Sequence, residues 1–334
     1  AWAMAARSVE ILLAALGFFA AVHGELVSLA RLQAWQLAIA LAGSLLLLLP
    51  AGIPWRFYGL FLMLPLFLPA RGSLPAGTIE AEILDVGQGT SLVVRTEGKT
   101  RLYDSGPGDG VSHDLVRSVI RPALGSQGVE APDRIVISHG DMDHAGGLSS
   151  LLKLYPGAQF MANLPPGSRD LPSCVAGQEW SWGDVLFKVR HPSAGLPYLG
   201  NDSSCVISVS SPGGGLLISG DISNLVEARL VAEGLNAHRA MLVPHHGSLS
   251  SSDPAFIAQL ASQVAVVTAG LGNRFDFPRE EVSDRYRRAG IRLWSTSDCG
   301  AVRLVLDSQG EIRANSARRQ RDRIWRWPAA NNCP

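Results

Sequence analysis

The pattern of apolar and polar positions divides the chain near residue 70. Before it, apolar residues run in blocks: 9–22 apart from Glu10, 34–50 apart from Gln36 and Ser44, and 57–70 with Pro65 and Pro69 inside it. None of these blocks has a polar face, which disfavours ordinary core helices. Each is at or below the roughly 20 residues a spanning helix needs. The expectation is two or three short membrane segments. Three blocks in series fit a cleaved signal peptide poorly. Arg31, Arg56 and Arg71 are too few to set an orientation. A first residue that is alanine fits the tail of a longer membrane protein.

After a linker at 71–77 the period changes. Residues 78–86 alternate and meet Gly87-Gln88-Gly89. Residues 91–96 and 100–103 form a hairpin around Glu97-Gly98-Lys99. Further strands are expected at 134–138, 179–190, 204–210, 216–221, 240–244, 265–268 and 302–306, with helices at 113–124, 148–155 and 225–233. Strands come first in a run and then alternate with helices, which favours two sheets with helices outside them. The soluble domain is expected over 78–315, followed by a basic tail at 316–334. That tail interleaves Arg and Trp from Arg318 to Trp327; contact with phosphates or a membrane surface is one reading, and a frayed solvated end is the favoured one.

Composition adds little. The 334 residues suggest about two domains. A formal net charge of zero argues neither for nor against nucleic acid. Cys174, Cys205, Cys299 and Cys333 form no C-x-x-C pair, which makes a zinc finger or thioredoxin-like motif a poor reading. Cys174 and Cys205 pair in an oxidising compartment, or stay as two buried thiols; spacing alone leaves both open.

The chemistry is concentrated between 138 and 147. His139, Asp141, Asp143 and His144 follow an apolar strand and precede Gly146-Gly147, so they are expected on a tight loop at a strand end. Asp104, Asp221 and the pair His245-His246 also stand at strand ends. Strands of one sheet that finish at one edge bring such residues together. They offer two sets of about three N/O ligands with one shared carboxylate. Two divalent ions held about 3.5–4 Å apart can clamp both oxygens of a phosphodiester displacement and acidify a water. Imidazole and carboxylate without thiolate suit Zn²⁺ or Mn²⁺. Asp141 makes the site harder and moves the preference toward Mn²⁺.

These motifs resemble the metallo-β-lactamase superfamily. His139-x-Asp141-x-Asp143-His144 is similar to its H-x-[HD]-x-D-H signature, and Tyr103-Asp104-Ser105-Gly106, Ser219-Gly220-Asp221 and His246 look like its other ligand motifs. Four segments in order look like the C-terminal domain of the ComEC family of DNA-uptake proteins. They are Asp85-Val86-Gly87-Gln88-Gly89-Thr90-Ser91, Ser138 through His144, Asn201-Asp202-Ser203-Ser204, and Val243-Pro244-His245-His246-Gly247-Ser248.

The resemblance implies an α/β, four-layer αββα metallo-β-lactamase fold preceded by short transmembrane helices. It implies a nuclease that degrades one strand of incoming DNA at a bacterial inner membrane, facing the periplasm or exterior beside the uptake machinery. His139 and Asp141 would bind one ion, and Asp143 and His144 the second. Asp143 would also act as catalytic base. Asp221 would bridge, and His246, or else His245, would complete the second ion's shell. Asp104 would orient the loop, and Asp85 and Gln88 would line the substrate side.

The chain departs from the family pattern twice. The segment that usually supplies another histidine offers His191-Pro192 and Asn201-Asp202, so Asn201 or Asp202 would assist the first ion. In Asn273-Arg274-Phe275-Asp276-Phe277-Pro278, Phe277 stands where a histidine often precedes the proline. A hydrolase of another phosphoester and a non-catalytic DNA-binding channel domain remain the alternative readings.

Overall fold

The computed structural model describes residues 2–22, 32, 34–50, 52–67, 73–109, 114–320 and 333–334. The chain forms two compact units, 1–71 with 121–129, and 72–120 with 130–334. Arg31, Arg71, His113 and the stretch 321–332 of the basic tail lie outside the described residues.

The two or three membrane segments expected in the first unit are not supported by its described helices. Among the described residues no helix is long and apolar enough to cross a membrane. The helix Trp2–Val22 has 21 residues and includes Arg7 and Glu10. The helix Ala34–Leu47 has 14 residues and Tyr58–Met63 has 6. At about 1.5 Å per residue the former reaches only ~21 Å of a hydrocarbon layer about 30 Å thick. These two helices cross closely at Gly43 and Gly59, where an added Cβ would lie 2.7 and 2.4 Å from the other's carbonyl oxygen. Gln36 donates from Nε2 to the Pro65 carbonyl at 2.7 Å. Large apolar side chains such as Trp35, Leu41, Trp55, Phe61 and Phe67 remain exposed.

Among the described residues the second unit contains fourteen strands in two seven-stranded sheets. In chain order they are β1 Ile79–Ile83, β2 Leu92–Arg95, β3 Thr100–Tyr103, β4 Arg134–Ile137, β5 Gln159–Ala162, β6 Glu179–Trp182 and β7 Val185–His191. Then come β8 Val206–Ser211, β9 Gly214–Ile218, β10 Ala240–Leu242, β11 Val264–Val267, β12 Arg292–Ser295, β13 Val302–Leu306 and β14 Ile312–Ser316. The sheet orders are β14-β13-β1-β2-β3-β4-β5 and β12-β11-β10-β9-β8-β7-β6. The single strand expected at 179–190 is a hairpin, β6 and β7, turning at Gly183, whose φ is 55°.

Period-two alternation sorts each strand's side chains between two faces. Ile79, Ile83, Leu92, Val94, Tyr103 and Val136 of the first sheet share one core with Phe187, Ile207, Leu216, Ile218, Leu242 and Val266 of the second. Leu217, Met241 and Ala265 turn the other way. They form a second core with Val226, Phe256, Leu260, Val282 and Tyr286 from the helices Asn224–Ala232, Pro254–Leu260 and Glu280–Arg288. The first sheet also buries its outer face at Leu102, Ile135 and Ile137. The helix Leu148–Leu154 joins the parallel strands β4 and β5, and such a crossover runs over a sheet face.

One cation lies within the sandwich. Arg101 is fully buried, and its guanidinium nitrogens have no hydrogen-bond partner among the described residues. Its Cζ instead sits 4.1 Å from the Trp180 ring centroid and 4.2 Å from that of Phe187. Burial and the neighbouring Arg134 hold its pKa well below the usual arginine value.

Two disulfides lock the unit. Cys174 joins Cys205 with a Cα separation of 5.8 Å, which resolves the open choice at that pair. Cys299 joins Cys333 at 5.3 Å, a pairing that spacing did not single out.

Strand direction positions the site. β3 is parallel to β4, and β9 through β12 are mutually parallel. Their carboxyl ends carry Asp104, Ser138-His139, Asp221, His245-His246 and Thr268. Ligand sites of open α/β sheets form at this edge, where polar loop residues are not needed for the core.

Candidate metal centre

Asp104 organises the first half of the site. It follows β3 in the left-handed region, φ 57°. Its Oδ1 accepts from the Ser138 backbone N–H at 2.6 Å and its Oδ2 from the Ser138 hydroxyl at 2.8 Å. Oδ2 also accepts a hydrogen bond from His144 Nδ1–H at 2.7 Å, which leaves Nε2 of that ring facing the site. Asp143 and His144 sit on a one-turn helix, Met142–Ala145, rather than on an irregular loop. Gly89 packs against that turn: a Cβ there would lie 2.4 Å from the Asp143 carbonyl oxygen, which accepts from the Thr90 N–H at 3.1 Å.

β9 and β10 supply the other half. Asp221 is anchored by its N–H, which donates to Ser204 Oγ at 2.9 Å. His245 and His246 both have positive φ, 50° and 53°. Such conformations cost non-glycine residues free energy and gather at functional sites. His246 donates from Nδ1 to the Thr268 carbonyl at 2.6 Å, so its Nε2 also faces inward.

The inward atoms converge. His144 Nε2 is 3.2 Å from Asp221 Oδ1, and His246 Nε2 is 3.3 Å from both Asp221 Oδ2 and Asp143 Oδ2. The two Nε2 atoms are 3.3 Å apart. One ligand atom from each of Asp143, His144, Asp221 and His246 lies within 4.8 Å of all the others. His139 stands beside this group, with its ring 4.3 Å from that of His144. Its Nδ1 meets Ser138 Oγ at 3.0 Å, while its Nε2 is buried with no hydrogen-bond partner. Asp141 Oδ2 is 3.7 Å from that nitrogen. A buried imidazole nitrogen without a partner, beside four converged N/O donors, fits a divalent cation.

The remaining expected residues are placed as follows. His245 Nε2 lies 3.1 Å from Asn201 Nδ2 and 3.9 Å from Asp221 Oδ2. The Asp202 carboxylate accepts from the N–H and hydroxyl of Ser223, at 2.8 and 3.0 Å, and so is turned to loop structure. His191 donates to the Asp202 carbonyl at 2.7 Å. Asp85 pairs with Arg318 at 3.2 Å, and Gln88 Oε1 accepts from the Gly270 N–H at 3.3 Å.

The electrostatics are those of a site built for cations. Burial alone would lower the His144 pKa, but Asp221 and then Asp104 outweigh it and raise it well above normal. Burial is likewise overcome at His246, where Asp221 and Asp143 raise the pKa to about 9. Burial pushes the Asp221 carboxyl up, yet His144 and His246 hold it well below the usual carboxylate range. Protons and metal ions therefore compete for the same imidazoles.

Residues 84–270 match the sequence model of the metallo-beta-lactamase superfamily. The chain belongs to that superfamily. The match spans every converged residue of the site. The chain is also similar to competence protein ComA of Neisseria gonorrhoeae, 33% identical over 284 residues, 84% of this chain and 40% of that protein. The uncharacterized protein YcaI of Escherichia coli is 32% identical over 240 residues, covering 71% of this chain and 31% of its own length. Recombination protein 2 of Haemophilus influenzae is 31% identical over 229 residues, 68% and 29% respectively. The chain thus spans less than half the length of each of these relatives.

Sequence reasoning missed four side chains that shape this metallo-beta-lactamase site: Ser138, Ser204, Thr268 and Tyr198. Ser138 and Ser204 orient His139 and Asp221, as described, and the Thr268 hydroxyl lies 3.0 Å from His246 Nδ1, beside the Thr268 carbonyl. Tyr198 accepts the Gly140 N–H at 2.9 Å. Thr268 could have been found, because it closes an apolar strand next to the strand that ends in His245. Nothing in the pattern around Tyr198 marks it.

Proposed function

We propose that this metallo-hydrolase domain cleaves phosphodiester bonds of DNA and degrades one strand during DNA uptake. The observation that carries the reading is the convergence of Asp143, His144, Asp221 and His246, with the His139 Nε2, which has no hydrogen-bond partner among the described residues, beside them. The names of two relatives, competence protein ComA and recombination protein 2, support DNA as the substrate.

Asp143, His144, Asp221 and His246 would hold one divalent ion, and His139, Asp141 and Asp221 a second. The donor set of imidazole and carboxylate suits Mn²⁺ or Zn²⁺. Such ions supply Lewis acidity toward a phosphoryl oxygen and acidify water. The chain's own residues do the rest. Asp104 and Thr268 fix the two imidazoles so that both Nε2 atoms face one point. Asp221 is almost wholly buried and positions, whereas the Asp143 side chain is 33% exposed and reachable by solvent. His246 and His144 keep Asp143 ionised despite its burial, so it can accept the proton of an attacking water.

Paired cysteines support work on the oxidising side of a bacterial membrane, periplasmic or extracellular. The exposed apolar side chains of the first unit support contact with that membrane and with the uptake machinery.

The experiment is cleavage of DNA by the purified chain with added Mn²⁺ or Zn²⁺ and with chelator. Small phosphoesters serve as competitors. Metal-dependent cleavage that small phosphoesters do not suppress is expected. Hydrolysis of small phosphoesters without DNA cleavage would move the assignment to another ester.

A further inference from the structure

A ladder of flat groups leads away from the metal centre. The Phe277 ring stacks on the imidazole of His246, with centroids 6.4 Å apart and planes at 23°. Phe275 stacks on Phe277 at 5.3 Å and 19°. The Arg274 guanidinium lies 4.7 Å from the Phe275 centroid. Phe275 is 41% exposed, and its neighbours Arg274 and Asp276 are exposed too.

The segment that carries these rings is pinned. Asn273 donates from Nδ2 to the Gly270 and Phe277 carbonyls at 3.0 and 2.7 Å. Its Oδ1 accepts from the N–H groups of Phe275 and Phe277 at 3.2 and 3.0 Å. The N–H of Arg279 donates to the carbonyl of Gly247, the residue after His246, at 3.0 Å. One amide side chain and one backbone bond thus fix two aromatic rings relative to a candidate metal ligand. An exposed aromatic held rigidly is a costly way to fill a loop. It suits recognition of a planar partner, whose ordering entropy is met beforehand.

We propose that Phe275 and Phe277 form a stacking platform for an unpaired nucleobase, so that the site takes nucleic acid as a single strand. The inference rests on the phosphodiesterase reading of the neighbouring centre. A phosphodiester at the centre brings its own nucleoside within reach of the ladder. In a duplex the bases are stacked on each other and their faces are closed to protein, whereas every unpaired base offers a π-face. Arg274 adds a positive charge where the backbone continues. The phenylalanine at 277, where the resemblance implied a histidine, exchanges a polar contact for a stacking face.

The test is equilibrium binding of the full chain in chelator, followed by fluorescence anisotropy at fixed salt. The probes are a labelled oligothymidylate, the same strand with abasic positions, and a duplex. Base stacking contributes about 1–3 kcal/mol per base, so removing bases should weaken binding to the natural protein about 5- to 150-fold. Phe275→Ala should erase that discrimination, and Phe275→Tyr should keep it. The duplex should bind more weakly than the single strand. Equal affinity for the thymidylate and abasic strands, or no binding of either, overturns the platform. So does a loss in Phe275→Ala that is the same for both strands, since that is a structural defect. Cleavage measured in parallel with added Mn²⁺ separates the two ideas. If both strands are cut without discrimination, the hydrolase stands and the platform falls. If neither strand is cut, the hydrolase reading falls.

Discussion

Asp104 holds the Nδ1 of His144 at 2.7 Å, and thereby decides which nitrogen of that ring faces the site. The carboxylate is itself fixed by two bonds from Ser138, so its own orientation is not free. The expected consequence is that Asp104→Asn weakens metal binding rather than folding. An amide can present its NH₂ to Nδ1, which favours the wrong tautomer. Loss of such an outer partner typically costs about 10- to 100-fold in metal affinity. Competitive titration against a chromogenic chelator measures this, with far-UV circular dichroism as the folding control. Unchanged affinity would remove Asp104 from the account.

The Cys174–Cys205 bond is expected to stabilise the edge that carries Asn201 to Ser204. The Cys205 N–H donates to the Ser138 carbonyl at 3.0 Å, directly beside the site. The crosslink closes a 31-residue separation, and removing it should cost roughly 2–5 kcal/mol. Urea unfolding of the Cys174→Ala, Cys205→Ala double variant checks the figure. A midpoint equal to that of the natural protein would mean that the bond contributes nothing.

His238 gives a pH dependence away from the site. Burial lowers its pKa to about 4 from an ordinary value of 6.5. Ser208 Oγ at 2.6 Å and the Asn236 carbonyl at 2.7 Å satisfy both ring nitrogens. Between pH 6.5 and 4 the unfolded chain binds more protons at this residue than the folded one. This contribution is therefore fully present above pH 6.5 and is lost as pH falls. The drop from 6.5 to about 4 corresponds to about 3 kcal/mol. His238→Gln should flatten the fall of Tm between pH 6.5 and 4 relative to the natural protein. Parallel curves would contradict this.

Much of the site was legible because its chemistry is local in sequence. His139 to His144 fall within one short segment, and strand ends marked Asp104, Asp221 and His246. What was not legible depends on three-dimensional packing. Asp85 was expected toward substrate, but Arg318, 233 residues away, meets its carboxylate. Asp202 was a candidate ligand, but its carboxylate meets Ser223 across the fold. Strands β5, β12 and β14 were missed, since alternation in four or five residues is a weak signal. The apolar blocks at the start read as membrane segments because hydropathy was judged over whole stretches. Among the described residues those blocks form helices of 21, 14 and 6 residues, and none is long and apolar enough to cross a membrane.

Asp143 offers the most direct test of the central claim. Its carboxylate lies 3.3 Å from His246 Nε2 and 3.9 Å from His144 Nε2, and it is the converged acid that solvent reaches. As a ligand it would hold metal, and as a base it would accept the proton of water. General-base work alone is worth roughly 10²–10⁴-fold in rate. The measurement is the DNA cleavage rate of the Asp143→Ala chain with saturating Mn²⁺, beside His139→Ala from the same preparation as the control for contaminating nuclease. The account predicts that both variants fold and both lose cleavage by at least about 10²-fold. Cleavage by Asp143→Ala within about tenfold of the natural protein, too small a loss for a general base, would contradict it.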